Sequence, residues 1–330
     1  MISKFRGAII GTAIGDALGA PLETMWADDI AKNYPQFNEE TCEYVSKGAR
    51  KKGEWTDDTQ LMIPTAWSII FKSGIHPADI AQQYVELTKN EEKRGWGRST
   101  IQSVQRLSEG SQWFEASEES LGIGNGAAMK AAPLGLTLAH ICSTGSPTDI
   151  LHCLNSIVDV GKITHKDAGI RGGFLQSILI ALAVRDVKST KAIISDLRHC
   201  EREFFGDDSF SKKAELLIKH NSIRAICDAG GVTSKAEESW PSTAAIYIKI
   251  ANTKNKAISA MFELIKQGGD CDTTGAMLGA LIGARFGMSI FPQKLFRNLE
   301  KSNSLRNLAD ALYDALINSS NAGFRLTGSV

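Results

Sequence analysis

Eight glycines recur at four-residue intervals in two distant stretches: Gly7, Gly11, Gly15 and Gly19, then Gly275, Gly279, Gly283 and Gly287. On an α-helix, residues four apart stack on one face, so each stretch would form a ridge without side chains. Each glycine costs a helix about 1 kcal/mol relative to alanine. Four in succession therefore need a compensating contact, which close approach of another helix backbone supplies. The spacing predicts two central, tightly packed helices, one N-terminal and one after residue 274, each a candidate partner for the other. Membrane helix pairs use a similar motif, but Asp16 and Arg285 lie inside these stretches and argue against lipid.

The remaining pattern is also helical. Ile101, Val104 and Leu107 recur at helix spacing, as do Phe174, Leu175, Ile178, Leu179 and Leu182. Val85, Leu87 and the run Asn90-Glu91-Glu92-Lys93 read as a helix ending in a solvated charged turn. Apolar–polar alternation over strand lengths is scarce. Pro77, Pro147, Pro241 and Pro292 read as element edges. Residues 205–213 and 144–148 are polar enough for surface loops, and neither they nor any repeat or low-complexity linker divides the chain. The expectation is an all-α fold in one domain spanning residues 1–330.

Lysine plus arginine and aspartate plus glutamate are balanced at 37 each, which disfavours extended nucleic-acid binding. The six cysteines (Cys42, Cys142, Cys153, Cys200, Cys227 and Cys271) form no C-x-x-C pair and no zinc spacing. They read as reduced, mostly buried thiols of a reducing compartment. Asp16 interrupts the N-terminal apolar stretch before it reaches the length of a membrane span, about 20 residues, and no signal-peptide core precedes it. The expected location is the cytoplasm, with no membrane partner.

Two acidic clusters carry the chemistry. The first is Glu54-Trp55-Thr56-Asp57-Asp58-Thr59, just before the apolar run Leu61-Met62-Ile63; the second is Asp270-Cys271-Asp272-Thr273, just before the second glycine ridge. At a helix entrance, such residues serve as caps and favour the positive end of the dipole. Capping explains one carboxylate in each cluster but not two. If the glycine helices pack together, four carboxylates converge, and like charges in a core need protons or metal ions. Carboxylate and hydroxyl oxygens are hard ligands suited to Mg²⁺, Mn²⁺ or Ca²⁺.

Gly122-Ile123-Gly124-Asn125-Gly126-Ala127-Ala128-Met129-Lys130 is a glycine-rich loop running into a helix. Such a loop can bring backbone N–H groups to a phosphate or form a plain turn; it is neither a P-loop nor a Rossmann fingerprint. His165 follows Thr164, and a lone histidine is more often structural than catalytic. No Gly-x-Ser-x-Gly elbow is present, which disfavours nucleophilic serine chemistry.

Taken together and in order, these motifs resemble the ADP-ribosylglycohydrolase family. The resemblance rests on Gly11–Ala20 with Glu23, on Trp55–Thr59, on Gly124–Pro133 and on Gly268–Thr273, with Thr164-His165 as a weaker match. It implies a single compact, orthogonally packed helical domain with a central binuclear Mg²⁺ or Mn²⁺ site. Thr56, Asp57 and Asp58 would ligate from one side, and Asp270, Asp272 and Thr273 from the other. Glu23, Asp58 and Asp272 would be catalytic. Gly122, Gly124, Asn125, Gly126, Met129 and His165 would bind ADP-ribose. Lys130 stands where arginine is common, and Cys271 where threonine is common. The implied activity is hydrolysis of the bond between ADP-ribose and an acceptor: protein arginine by default, or a small molecule. The expected assembly is a monomer. A rival reading is an immunity protein that binds ADP-ribose or blocks an ADP-ribosyltransferase toxin without turnover; a weaker one is a two-metal phosphoesterase.

Overall fold

The computed structural model of the chain describes residues 1–117 and 121–321, with side chains to residue 318; residues 118–120 and 322–330 of the expected domain lie outside the described residues. Among the described residues the fold is all-α. It runs from Ile2–Gly19 to Ser302–Asn321, and the β pairing consists of isolated bridges such as Trp26–Gly268 and Gly124–Lys235.

The two glycine ridges pack on each other. A Cβ on Gly7 would collide with the carbonyl of Gly283, one on Gly11 with that of Gly279, and one on Gly15 with that of Gly275. At Gly19 the collision is with Cys271 and Asp272. Numbers rise along one helix as they fall along the other, so Ile2–Gly19 and Cys271–Phe286 are antiparallel with their backbones in contact. Burial and main-chain dispersion on both sides offset the poor helix propensity of the glycines. Gly287 closes the ridge from outside the helix. It is the C-cap residue with φ +79°, packed on Ser3 and with its carbonyl carbon against Gly7, so it ends the helix while keeping the contact.

This antiparallel contact positions the site. It brings the C-terminal end of the first helix, with Asp16 and Glu23 beyond it, against the N-terminal end of the second, where Asp270, Asp272 and Thr273 lie. A third helix, Asp167–Val184, supports the pair, and Gln176 Nε2 on it donates to the Met277 carbonyl (3.0 Å). That helix is long and apolar enough to cross a membrane, but 83% of it is buried inside the protein. The charge inside the second ridge is paired: Arg285 bonds the Ala251 carbonyl and the Asp186 carboxylate. The buried apolar side chains form one cluster running through nearly all the helices.

Three local expectations change. Residues 205–213 are the end of Thr190–Phe205, a short turn at Gly206, and the start of Ser209–Leu217. Their polar residues are the outer faces and caps of helices rather than a long loop. The 144–148 stretch narrows to Gly145 and Ser146, where a Ser146–Asp149 capping box opens Pro147–Lys162. Pro241 lies inside Ala236–Ile250 instead of at its edge. It falls in the second turn, where it removes one hydrogen bond near a terminus and is tolerated.

Candidate active site

Asp16, on the first glycine helix, organises the first acidic cluster. It is fully buried, and its carboxylate accepts the Thr56 N–H (2.8 Å), the Thr56 hydroxyl (2.8 Å), the Thr59 N–H (3.0 Å) and the Thr59 hydroxyl (2.6 Å). Burial raises its pKa, and the bonds from Thr59 and Thr56 oppose that rise. The turn entering Asp57–Lys72 is thus pinned to the glycine helix.

The capping reading of the two clusters does not hold. Thr56 occupies the N-cap position of Asp57–Lys72, but its side chain makes no cap bond; its hydroxyl is shared between Asp16 and Asp58 Oδ2 (3.0 Å). Asp270 occupies the N-cap position of Cys271–Phe286, again without a cap bond, and its carboxylate accepts instead from Asn125 Nδ2 (2.8 Å). Asp272 Oδ1 accepts the Thr273 N–H (2.9 Å). The side chains at both N-cap positions are thus engaged across the site, and only Asp272 takes an N–H of its own first turn.

Both clusters open onto one cavity of about 260 Å³. Glu23, Thr56, Asp57, Asp270, Asp272 and Thr273 line it, and so do Gly124, Asn125, Gly126, Met129 and His165. Two candidates do not. Asp58 is buried behind the wall at 1% exposure, with Oδ1 lacking any hydrogen-bond partner. Gly122 packs against the backbone of Lys166, whose N–H donates to its carbonyl (3.0 Å), so it shapes the loop from behind. Cys271 is buried away from the cavity, its thiol donating to the Gly19 carbonyl (3.4 Å). The threonine-to-cysteine difference therefore leaves the cavity wall unchanged.

The carboxylates feel one another. Burial, then Asp16, with smaller contributions from Asp270 and Glu23, raises Asp57 to about 8. Burial first, then Asp16, Asp57 and Asp270, holds Asp58 well above its ordinary range. Asp272 is raised in the same way by burial, then Asp270, Asp58 and Glu23. Glu23, at the mouth, is raised by burial and Asp270 against the pull of Arg50 and Lys47. Each cluster perturbs the other across more than 200 residues of chain.

Such an assembly fits divalent cations chemically. The donors are carboxylates and threonine hydroxyls, the ligands of Mg²⁺ and Mn²⁺, and Asp58 Oδ1 is a buried carboxyl oxygen without a partner. Among the described residues no three Asp, Glu, His or Cys side chains already form a tight cage. The oxygens share a wall and would have to draw together around an ion.

Asn125 links the glycine loop to the second cluster: its N–H donates to the Ser234 carbonyl (2.9 Å) and its amide to Ser239 Oγ (3.2 Å) as well as to Asp270. A Cβ on Gly126 would fall within 2.9 Å of His165 Nε2, so glycine is required for the ring to reach the cavity. His165 is buried, and desolvation, then Lys130, lowers it to about 3, leaving it neutral. Lys130 is buried too, under the Tyr84 ring (4.6 Å), and burial lowers it to about 7 against the pull of Asp57.

Sequence reasoning missed several lining residues. Arg50, Arg94, Gly95, Arg98 and Ser234 reach the cavity from segments whose periodicity, where present, marks a buried helix face, so only the tertiary fold reveals them. Arg94 is held over Trp55 (3.9 Å) by a two-bond pair with Glu300 (2.6 and 2.9 Å). Asp16 was legible: it is the lone charge between Gly7 and Ala20, and a buried charge requires partners.

Known proteins resemble this chain over nearly its full length. The model of the ADP-ribosylglycohydrolase family matches residues 1–322. The ADP-ribosyl-dinitrogen reductase glycohydrolase of Rhodospirillum rubrum is 27% identical over 312 residues, covering 93% of this chain and 94% of its own. ADP-ribosylhydrolase ARH3 of Bos taurus is 25% identical over 354 residues, covering 94% and 93%. Among solved structures, an ADP-ribosylglycohydrolase-related protein complex aligns with a TM-score of 0.73 at 23% identity, over 96% of this chain and 98% of that one, and shares the fold.

Proposed function

Because the chain belongs to the ADP-ribosylglycohydrolase family, we propose that its cavity cleaves the glycosidic bond between ADP-ribose and protein arginine, with divalent cations as cofactors. The observation that carries the reading is the convergence of two acidic clusters on one cavity, with their oxygens diverted from capping. A pure binding or blocking protein has no use for so costly an arrangement of buried charge.

In this reading Thr56, Asp57 and Asp58 hold one side of a Mg²⁺ or Mn²⁺ site, and Asp270, Asp272 and Thr273 the other. The cations, when bound, supply electrophilic polarisation of the sugar. Asn125, Gly124, Gly126, Met129 and His165 hold the ADP-ribose, its diphosphate along the glycine loop. Water adds its oxygen to the anomeric carbon, the carbon–nitrogen bond to the guanidinium breaks, and a proton passes to the leaving nitrogen. Glu23, at the mouth with a raised pKa, is suited to move that proton. Asp58 and Asp272 hold the charge balance that makes the pocket reactive.

Arginine is the default acceptor by resemblance to the dinitrogen-reductase branch of the family. The Rhodospirillum rubrum relative acts, by its name, on a protein bearing ADP-ribose. A wider groove of about 660 Å³ adjoins the cavity at Arg50, Arg94 and Gly95; it carries Glu54, Glu91 and Glu92 beside Lys93 and Lys301, a mixed-charge surface that an acceptor protein would meet. The six unpaired thiols fit action in the reducing cytoplasm.

The test is incubation with an arginine-linked ADP-ribosyl peptide, with Mg²⁺ or Mn²⁺ and with EDTA, reading products by mass. Release of ADP-ribose that stops in EDTA is the expected result. Undiminished release in EDTA removes the metal dependence, AMP points to a phosphoesterase, and cleavage of only a serine-linked peptide reassigns the acceptor.

A further inference from the structure

We propose that Lys130 and Thr164 form a buried relay that fixes His165 as a hydrogen-bond donor into the cavity, so that Lys130 is a positioning residue for ligand binding. The contacts are short and enclosed. Lys130 Nζ donates to Thr164 Oγ1 (3.1 Å), and Thr164 Oγ1 meets His165 Nδ1 (2.8 Å). All three residues are buried.

The direction follows from counting protons. Below about pH 7 Lys130 is an ammonium, which donates and never accepts. Thr164 therefore spends a lone pair on Lys130, and among the described residues His165 Nδ1 is the one acceptor within reach of its hydroxyl proton. A neutral imidazole carries one N–H. With Nδ1 accepting from Thr164, that proton is on Nε2. The Nε2 edge faces the glycine loop, 2.9 Å from a Cβ built on Gly126 and 3.7 Å from one on Gly124. Nε2 has no hydrogen-bond partner among the described residues. It is a donor open to the cavity that His165 lines, and its complement is an acceptor oxygen of a ligand: a phosphoryl oxygen or a sugar hydroxyl.

Two consequences follow. His165 cannot act as a general base, because its lone pair is already taken by Thr164. Arginine in place of Lys130 preserves the relay, since a guanidinium also only donates. The proposal rests on the ADP-ribosyl reading only for the identity of the accepting oxygen; the tautomer itself is a property of the empty protein.

The experiment is long-range ¹H–¹⁵N correlation on protein labelled at its histidine rings, with His165 assigned through His165→Gln, alongside titration with ADP-ribose. Wild type and Lys130→Arg should show the Nε2–H pattern. Thr164→Val, which keeps the side-chain shape, should lose it, and so should Lys130→Met; both should bind ADP-ribose about tenfold more weakly. An Nδ1–H pattern in the wild type overturns the relay. So does Thr164→Val with an unchanged tautomer, a result that needs no folded Lys130→Met. The ring spectra decide the relay without ligand, whereas a wild type with the stated tautomer that fails to bind ADP-ribose overturns the substrate reading alone.

Discussion

The Asp16 carboxylate, on the first glycine helix, accepts both the main-chain N–H and the hydroxyl of Thr56, each at 2.8 Å, across 40 residues of sequence. This link turns a helix–helix packing motif into a site, because it fixes the first acidic cluster to the helix that already touches the second.

Asp16→Ala should therefore cost stability and cofactor affinity together. It strands two N–H groups and two hydroxyls in a buried place, at about 1–3 kcal/mol for each group left unsatisfied. Chemical denaturation should show a loss of about 3 kcal/mol or more, and calorimetry should show Mn²⁺ affinity reduced at least tenfold. Asp16→Asn, which keeps the shape and one acceptor oxygen, should lie between the two.

Asp58→Asn and Asp272→Asn should separate stability from activity. Each replaces a carboxyl whose ionisation burial and its neighbours oppose with a neutral amide. In EDTA the variants should melt at or above the wild-type temperature. They should lose the rise in Tm that divalent cations give the wild type, and kcat/KM should fall about a thousandfold or more.

The pH dependence has a definite sign. Asp57 is raised to about 8 in the folded protein, above its ordinary value of about 4. The folded state thus holds this proton more tightly than the unfolded state. The stability linked to it is complete below about pH 4 and is lost as pH rises toward 8. Thermal scans in EDTA should show Tm falling from pH 5 to pH 8. Saturating Mg²⁺ or Mn²⁺ should flatten the fall, because the cation replaces the proton as counter-charge.

The ridge itself can be probed at Gly15. A Cβ there collides with the carbonyl of Gly275, and two helix backbones cannot both move aside. Gly15→Ala should destabilise by about 3 kcal/mol or more despite alanine's better helix propensity. Gly206→Ala makes the contrast: nothing lies within 4 Å, and only the strain of φ +80° opposes it, so its cost in the same denaturation series should be smaller.

What the sequence made legible was periodic or compositional. The four-residue glycine spacing announced the central helix pair, and the twin Asp–Thr motifs announced the lining carboxylates. Asp58 and Gly122 carry the right motif positions but stand behind the wall, a distinction of side-chain direction that spacing does not encode. The basic rim of Arg50, Arg94 and Arg98 was silent because periodicity, where present as in the helix opened by Arg98, marks the buried face and not which polar residue meets a distant cavity. Pro241 read as an edge because proline usually breaks a helix, and the second-turn exception depends on where the helix starts.

The most direct test of the central claim is anomalous diffraction from crystals grown with Mn²⁺ and ADP-ribose. Manganese peaks between the Asp57–Asp58 and Asp270–Asp272 carboxylates, with the ribose beside them, are the predicted result. ADP-ribose bound at the glycine loop with no anomalous density between the two clusters would contradict it.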